Sequence, residues 1–217
     1  MGFYADRVLP YIIGIACGAP PSLKQREKVV PNAQGRVLEI GMGSGLNLQY
    51  YDPSKVELVF GLEPSEGMRR KAQENLAASP VEVRLLELPG EEVPLDDDSI
   101  DTVVLTYTLC TIPDFRTALA QMRRVLKPGG RFLCLEFSQV VLPVLDKLYE
   151  TYSFKVLPAL GERVAGDRQA YQYLAESIRR FPAQGPFAEM ITEAGLEQVK
   201  VRNLSGGIAA IHSAWRV

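Results

Sequence analysis

The chain passes from an apolar run into closely spaced glycines at residues 37–45, which read VLEIGMGSG. Glycine has no Cβ, so it adopts a positive φ readily and lets a ligand approach the main chain. We expect a strand, then this loop, then a helix. The first amides of such a helix are unpaired, so they can bind a polar or anionic ligand. The alternative is an ordinary tight turn between strand and helix, because a short glycine pattern carries little information alone.

A second apolar run, residues 56–63, ends in an acid about twenty residues after the glycines, where dinucleotide-binding folds place a ribose ligand. Glu63 is therefore the predicted ribose ligand. By itself, an acid at a strand end is more often a solvated loop residue or a helix N-cap. The spacing also differs from the nicotinamide fingerprint, because the acid Glu39 precedes three glycines at alternate positions and no Gly-x-x-Gly follows.

The acid followed by alternate glycines resembles the class I S-adenosylmethionine-dependent methyltransferases, whose loop holds the amino acid end of the cofactor. A second match is the helix, KPGG turn and strand at residues 114–126, 127–130 and 131–137. The resemblance implies a Rossmann-like α/β fold with a doubly wound, mostly parallel sheet, and S-adenosylmethionine as cofactor. It implies cofactor contacts from the loop, the strand ends and the adenine side: Glu39, Gly41, Met42, Gly43, Gly45, Asn47, Glu63, Pro64, Met68, Gly90, Glu91, Thr106 and Tyr107.

Length and composition fit one such domain: 217 residues, 47% hydrophobic and 23% charged. A net charge of −2 and a pI near 5.6 provide no electrostatic footprint for nucleic acid. Three separated cysteines and one histidine predict no metal site and favour a reducing, cytoplasmic compartment. We expect an N-terminal helical segment at 1–34, a cofactor-binding core at 35–137, and substrate-side helices with a hairpin at 138–217.

The N-terminal residues 2–21 are rich in apolar side chains but too short and interrupted to span a bilayer, and they lack the basic region of a secretory signal. Two interpretations stay open: a helix that covers the pocket, or an amphipathic anchor that makes peripheral contact with a membrane. Lys24, Arg26 and Lys28 follow, and we expect them on a solvated helix face.

The C-terminal third carries alternating runs at residues 198–204 and 207–217 around a Ser-Gly-Gly turn, which predicts an antiparallel hairpin at a sheet edge. Three segments closely resemble the UbiE family, the C-methyltransferases of ubiquinone and menaquinone biosynthesis: 149–158 (YETYSFKVLP), 165–182 (AGDRQAYQYLAESIRRFP) and 203–212 (NLSGGIAAIH). The resemblance implies carbon methylation of a hydrophobic small molecule, a prenylated quinol.

The chain departs from that family pattern after the fourth predicted strand. The UbiE pattern has an Arg-Asn pair there, associated with positioning a water that helps deprotonate the quinol, whereas residues 109–114 of this chain read LCTIPD. In the first half, residues 3–31 and 109–114 resemble a methyltransferase-like group that includes membrane-associated thiol methyltransferases. Two alternatives therefore stay open: a thiol or lipid-amine methyltransferase, and a cofactor-binding subunit that does not turn over.

Carbon methylation of a phenolic ring requires that a ring hydroxyl lose its proton, which calls for a general base within hydrogen-bond reach. Each candidate also has a structural explanation: a histidine near a strand end is often only hydrogen-bonded, an aspartate next to arginines forms ion pairs, and tyrosines at helical spacing are usually core residues. The candidates are His212, Asp167, Tyr152, Tyr171 and Tyr173.

Overall fold

Continuous apolar runs form the inner strands of a parallel sheet, because a strand covered by helices on both faces needs apolar residues throughout. The edge strand at residues 82–86 instead alternates between exposed and half-buried side chains. The computed structural model describes residues 20–139 and 176–217. Within them the parallel strands are β1 (Gly35–Ile40), β2 (Val56–Leu62), β3 (Glu82–Leu86), β4 (Ile100–Thr106) and β5 (Leu126–Phe137). The predicted doubly wound parallel sheet is therefore confirmed.

The C-terminal hairpin extends this sheet on one side. It consists of β6 (Glu197–Leu204) and β7 (Ala209–Trp215), and β7 runs antiparallel to both β5 and β6. The strand order is β3-β2-β1-β4-β5-β7-β6, so the winding reverses between β1 and β4. In open α/β sheets, ligands bind outside the carboxyl ends of the strands at this switch point. The predicted hairpin at the sheet edge is also confirmed.

In the described part of the chain, the helices that accompany the strands include α1 (Pro20–Val29), α2 (Glu66–Ala77), α3 (Phe115–Val125) and α4 (Gln184–Glu193). Short 3-10 helices lie at Val30–Asn32, Leu48–Tyr50, Leu109–Thr111 and Ser205–Gly207. The N-terminus of α2 is capped by the Ser65 hydroxyl, and that of α3 by the Asp114 carboxylate. Within residues 20–139 and 176–217, each helix is too short or too polar to cross a bilayer.

The two faces of the sheet have separate cores, because alternate residues of each strand point to opposite faces. On β5, Phe132 and Cys134 point to the face covered by α3 and α4, and Leu133 and Leu135 point to the face covered by α1 and α2. We call these the α3/α4 face and the α1/α2 face. The site described below uses side chains from both.

The sequence predicts a helix directly after the glycine loop, and this prediction is wrong. The chain instead passes through turns and a single 3-10 turn, Leu48–Tyr50. The three loop glycines adopt positive φ values of 65°, 61° and 77°, which interrupt regular helical geometry. The Ser44 carbonyl accepts a hydrogen bond from the Asn75 side chain of α2 at 2.8 Å. The loop amides themselves, rather than a helix N-terminus, are therefore the donors available there.

The predicted turn at residues 127–130 is also different in the structure, because β5 already begins at Leu126. The Gly129 amide donates to the Arg216 carbonyl at 2.6 Å, and the Arg216 amide donates to the Gly130 carbonyl at 2.9 Å. Pairing with the C-terminal residues after β7 thus includes this segment in the sheet, although Gly129 has a left-handed φ of +79°.

The Phe187 side chain packs α4 against the sheet, so its truncation should lower the stability of the fold. The ring is fully buried, with its centroid 4.9 Å from that of Phe181 and 4.7 Å from that of His212. Phe187→Ala should lower the free energy of unfolding by about 3–5 kcal/mol, measured by urea denaturation. The control Val201→Ala changes a side chain that is 41% exposed and should stay within about 0.5 kcal/mol of wild type. Equal losses from both variants would contradict this packing.

Candidate active site

The glycine loop after β1 is held against the segment that follows β4. Gly41 has φ +65°, and a Cβ at this position would lie 2.0 Å from Thr108 Cγ2. The Thr108 hydroxyl donates to the Gly41 carbonyl at 3.2 Å. A side chain at position 41 would therefore collide with Thr108, and the two segments meet backbone to side chain at the carboxyl ends of β1 and β4.

Glu63 contacts the glycine loop directly. One carboxylate oxygen accepts the Gly43 amide at 2.9 Å and the other accepts the Ser65 amide at 2.9 Å. The side chain is only 7% exposed. Burial raises the pKa of Glu63, and the two backbone donors and Arg69 partly oppose this shift. The structure thus brings together the predicted ribose ligand and the predicted amino acid loop.

Glu39, at the end of β1, lies beneath the loop in a buried hydrogen-bond network. Its carboxylate accepts from the Tyr51 hydroxyl at 2.7 Å and from the Asn47 amide at 2.9 Å. The Asn47 amide also donates to the Thr106 hydroxyl at 2.9 Å, and Arg26 donates to the Asn47 carbonyl oxygen at 2.7 Å. Burial raises the pKa of Glu39 to about 7 against the opposing effects of Tyr51, Asn47 and Arg26.

Arg26 corrects the expectation of a solvated basic face on α1. Lys24 and Lys28 are exposed, but Arg26 is only 4% exposed. It lies three and four positions before the buried Val29 and Val30, so it shares their helix face. Its guanidinium donates to Thr106 as well as Asn47 and lies 5.3 Å from the centre of the Tyr107 ring. That helical spacing is the sequence signal that predicts burial.

Tyr107 ends β4 with a sharp change of direction. Its φ is +55°, which is unusual for a residue with a side chain. The ring is 4% exposed and its centroid lies 4.5 Å from that of Phe137, while its amide donates to the Leu135 carbonyl at 2.8 Å. This turn directs residues 108–111 across the carboxyl ends of the neighbouring strands β1 and β5.

The two methionines predicted near the cofactor are buried beneath the loop. A Cβ at Gly61 of β2 would lie 2.4 Å from the Met42 sulfur, and a Cβ at Gly43 would lie 3.1 Å from the Met68 Cε. Met42 and Met68 are 4% and 7% exposed. Pro64, by contrast, is exposed. The methionines therefore provide an apolar floor under the loop.

The residues predicted beside the adenine lie between β1 and the start of α3. Gly90 is buried, and a Cβ there would lie 2.9 Å from Ile112 and 3.1 Å from Ile40. The Glu91 carboxylate accepts the Asp114 amide at 3.3 Å. Gly90 and Glu91 thus lie at the same carboxyl edge as the glycine loop, at the end of β1.

His212, the predicted base on β7, is placed on the α3/α4 face opposite Cys134. Its ring is 1% exposed, its Nε2 lies 3.2 Å from the Gln184 carbonyl oxygen, and its Nδ1 has no hydrogen-bond partner within residues 20–139 and 176–217. Burial lowers the pKa of His212. Its catalytic role stays a prediction. Asp167, Tyr152, Tyr171 and Tyr173 lie outside the described residues.

Glu136, at the end of β5, is a buried acid that the sequence reasoning passed over. It is 1% exposed and accepts the amides of Phe137 at 2.8 Å and Cys110 at 3.3 Å. In the sequence it sits within an apolar strand, LCLEF, and a single acid at the end of such a run is the signal that distinguishes it.

The strand order, the loop of left-handed glycines and the acid in contact with that loop define a class I methyltransferase fold. A solved S-adenosylmethionine-dependent methyltransferase from Thermotoga maritima matches it with a TM-score of 0.67 and 21% identity, over 96% of this chain and 100% of that chain. The model of the ubiE/COQ5 methyltransferase family matches residues 26–216. The chain therefore belongs to the ubiE/COQ5 methyltransferase family. Both the UbiE-type resemblance and the cofactor class, S-adenosylmethionine, are confirmed.

Two curated relatives carry the name ubiquinone/menaquinone biosynthesis C-methyltransferase UbiE. The Brucella canis protein is 50% identical over 135 residues, which are 62% of this chain and 50% of the relative. The Methylobacterium nodulans protein is 55% identical over 128 residues, which are 59% of this chain and 51% of the relative. The chain thus spans about half the length of the curated relatives it matches.

Gly41→Ala should weaken binding of S-adenosylmethionine, because the new Cβ would overlap Thr108 and displace the loop. We expect at least about a tenfold rise in Kd, roughly 1.4 kcal/mol, by titration calorimetry. Gly129→Ala is the matched control, since Gly129 also has a positive φ, +79°, but its Cβ would meet nothing within 4 Å. An unchanged Kd for Gly41→Ala would contradict the proposed contact of the cofactor with this loop.

The stability of the fold should depend on the protonation of Glu39. Its pKa is raised from 4.5 to about 7, so the unfolded chain loses this proton at a lower pH than the folded protein. The free energy of unfolding should therefore fall as pH rises from about 4.5 to about 7, by up to about 3 kcal/mol from this group. Urea denaturation at pH 5 and pH 8 measures the fall.

Glu39→Gln should reduce this pH dependence, because the amide does not ionise. Glu57→Gln is the control, since it changes an exposed carboxyl on neighbouring β2. We expect it to keep the wild-type dependence. An identical fall with pH in wild type and Glu39→Gln would mean that Glu39 does not titrate in this range.

Proposed function

We propose that this protein transfers the methyl group of S-adenosylmethionine to a ring carbon of a prenylated quinol. The observation that carries the proposal is the family match over residues 26–216, which spans both the glycine loop and the C-terminal hairpin. The name of the curated relatives, C-methyltransferases of ubiquinone/menaquinone biosynthesis, supports carbon as the methylated atom and a quinol as the acceptor.

The residues at the carboxyl edge fit the cofactor. The positive-φ glycines leave room for the amino acid end of a ligand, and the loop amides are donors for it. Glu63 is an acceptor for ribose hydroxyls, which would take the place of the Gly43 amide at its carboxylate. We assign the adenine side to the backbone near Gly90 and Glu91. When bound, the cofactor supplies an electrophilic methyl group on a sulfonium, so the protein mainly aligns the acceptor and excludes water.

A thiol or a lipid amine is the second candidate acceptor. It is favoured by the half-buried Cys110 and Thr111, at the place where the UbiE pattern has an Arg-Asn pair. A ring carbon becomes nucleophilic only when a ring hydroxyl loses its proton, so its methylation needs a base. Methylation of a thiol or an amine depends less on such a base.

A prenylated acceptor would also bring the protein into transient contact with a bilayer.

The deciding experiment is methyl transfer from labelled S-adenosylmethionine to a reduced demethylated quinone, with a small alkyl thiol in a parallel reaction. We expect a product methylated on ring carbon. Glu63→Ala should weaken cofactor binding by about tenfold or more, since a buried hydrogen-bonding carboxylate is lost. Transfer to the thiol alone would overturn the quinol assignment, and tight cofactor binding with no transfer would favour a non-catalytic subunit.

A further inference from the structure

A second buried carboxyl lies at the carboxyl edge, apart from the groups assigned to the cofactor. Glu136 is the penultimate residue of β5, which pairs with β4, and it points to the α3/α4 face with Cys134 and Phe132. Glu39, by contrast, lies on the α1/α2 face with the Arg26 network. A buried carboxyl is unfavourable unless its hydrogen bonds are satisfied, so its neighbours indicate what it does.

The neighbours of Glu136 come from the segment after β4. Its Oε2 accepts the Cys110 amide at 3.3 Å, its Oε1 accepts the Phe137 amide at 2.8 Å, and the Leu109 amide and the Cys110 thiol also hydrogen-bond to the carboxylate. Burial raises the pKa of Glu136 to about 7, and these donors partly oppose the shift. Cys110 is half-buried, whereas Glu136 is 1% exposed. The thiol is therefore the more accessible member of the pair.

The other titratable groups near Glu136 in the described ranges are weak competitors for its proton. Cys134 lies two positions earlier on the same face, and burial together with the Glu136 charge raises its thiol pKa well above the ordinary value. His212 of β7 lies opposite Cys134, and burial lowers its pKa. The helices that cover this face, α3 and α4, bury apolar side chains against it.

Among residues 20–139 and 176–217, the other buried or half-buried acids near this edge have partners of their own. Glu63 contacts the glycine loop, and Glu39 accepts from two side chains in a network closed by Arg26. Glu91 caps the amide of Asp114 at 3.3 Å. Glu136 is thus the carboxylate that lies at the end of β5 and contacts the segment crossing the switch point of the sheet.

We propose that Cys110 and Glu136 form a relay that takes the proton from the acceptor. The inference rests on the proposed function and names the proton acceptor for it. The Cys110 sulfur accepts the hydroxyl proton of the quinol while the thiol passes its own proton to the Glu136 carboxylate. Cys110 is the group that contacts the acceptor, and Glu136 is a positioning residue that acts through it.

The electrons and protons balance in this scheme. As the hydroxyl proton leaves, the ring carbon forms a bond to the methyl carbon, and the bond from methyl to sulfur breaks with its electron pair on sulfur, giving S-adenosylhomocysteine. The methylated ring carbon then loses its hydrogen to water as a proton, which restores the aromatic ring. The relay returns the first proton to the ring oxygen, so one proton is released in each turnover.

Four variants of the full chain test the relay in the quinol assay. Glu136→Gln and Cys110→Ala should each lower kcat by about 100-fold or more, with cofactor Kd unchanged, because a proton acceptor contributes about that much. Cys110→Ser should keep most of the activity, since a hydroxyl both accepts and donates. Cys134→Ala, a buried neighbour on the same strand and face, should behave as wild type. Activity of Glu136→Gln or Cys110→Ala within threefold of wild type would overturn the relay.

Two readouts separate proton transfer from a purely structural role. Wild-type kcat should rise with pH through about 7 as Glu136 ionises, and that of Glu136→Gln should not. A halogenated quinol, whose hydroxyl is already ionised at the assay pH, should restore the rate of Glu136→Gln to within about threefold of wild type, because proton removal is then unnecessary. A variant that stays equally slow on this acceptor would overturn the proposal.

Failure of the proposed function gives a different result. If wild type methylates only the thiol, the quinol assignment fails. The methylation rates of the same four variants, measured with the thiol substrate at a pH below its pKa, then still test the relay.

Infrared titration tests the relay without turnover. The band of the protonated Glu136 carboxyl is identified by its absence in Glu136→Gln. In wild type this band should disappear as pH rises through about 7, and in Cys110→Ala its frequency should shift. Absence of that shift would overturn the contact on which the relay depends.

Discussion

The hydrogen bonds made by the Asn47 side chain fix the relation of the glycine loop to the sheet. Its amide nitrogen donates to Glu39 of β1 and Thr106 of β4, and its oxygen accepts from Arg26 of α1. All four side chains are 5% exposed or less. Because an unsatisfied buried polar group costs free energy, displacement of any one element would leave several groups without partners. The loop position is therefore specified by the network rather than by a helix after β1.

The turn at Tyr107 extends this control to the other side of the switch point. The left-handed backbone at Tyr107 directs the next residues across the sheet edge, so that Thr108 meets Gly41 on one side and Cys110 meets Glu136 on the other. A residue with a side chain holds this conformation only where its surroundings compensate, here through the packing of its ring against Phe137. The segment from Thr108 to Cys110 thereby connects the glycine loop to the end of β5.

Local patterns predicted most of the scaffold, and tertiary contacts decided the rest. The parallel strands, the hairpin and the contact of Glu63 with the loop follow from apolar runs, turn residues and the spacing of an acid. The hydrogen bonds of Arg26 to Asn47 and Thr106, and of Glu136 to Cys110, do not, because these partners lie about 20 to 80 positions away in the sequence. The helix expected after the loop does not form there, because the three glycines adopt positive φ values that the strand-loop-helix pattern does not reveal. His212 is buried in the sheet as a lone histidine often is, and its predicted role is not decided by that placement.

The sheet holds two carboxyls whose pKa values are both raised to about 7, and their surroundings give them opposite consequences. Glu39 accepts from an amide and a phenol that are themselves buried, so protonating or ionising it changes the energy of a closed network. Glu136 accepts from backbone amides that stay in place and from the thiol of a half-buried cysteine. A carboxyl held by fixed backbone donors changes its charge with little rearrangement of the chain, which is what repeated proton transfer requires. The same desolvation therefore makes Glu39 a structural member of a closed network and leaves Glu136 suited to exchange a proton, as the proposed relay requires.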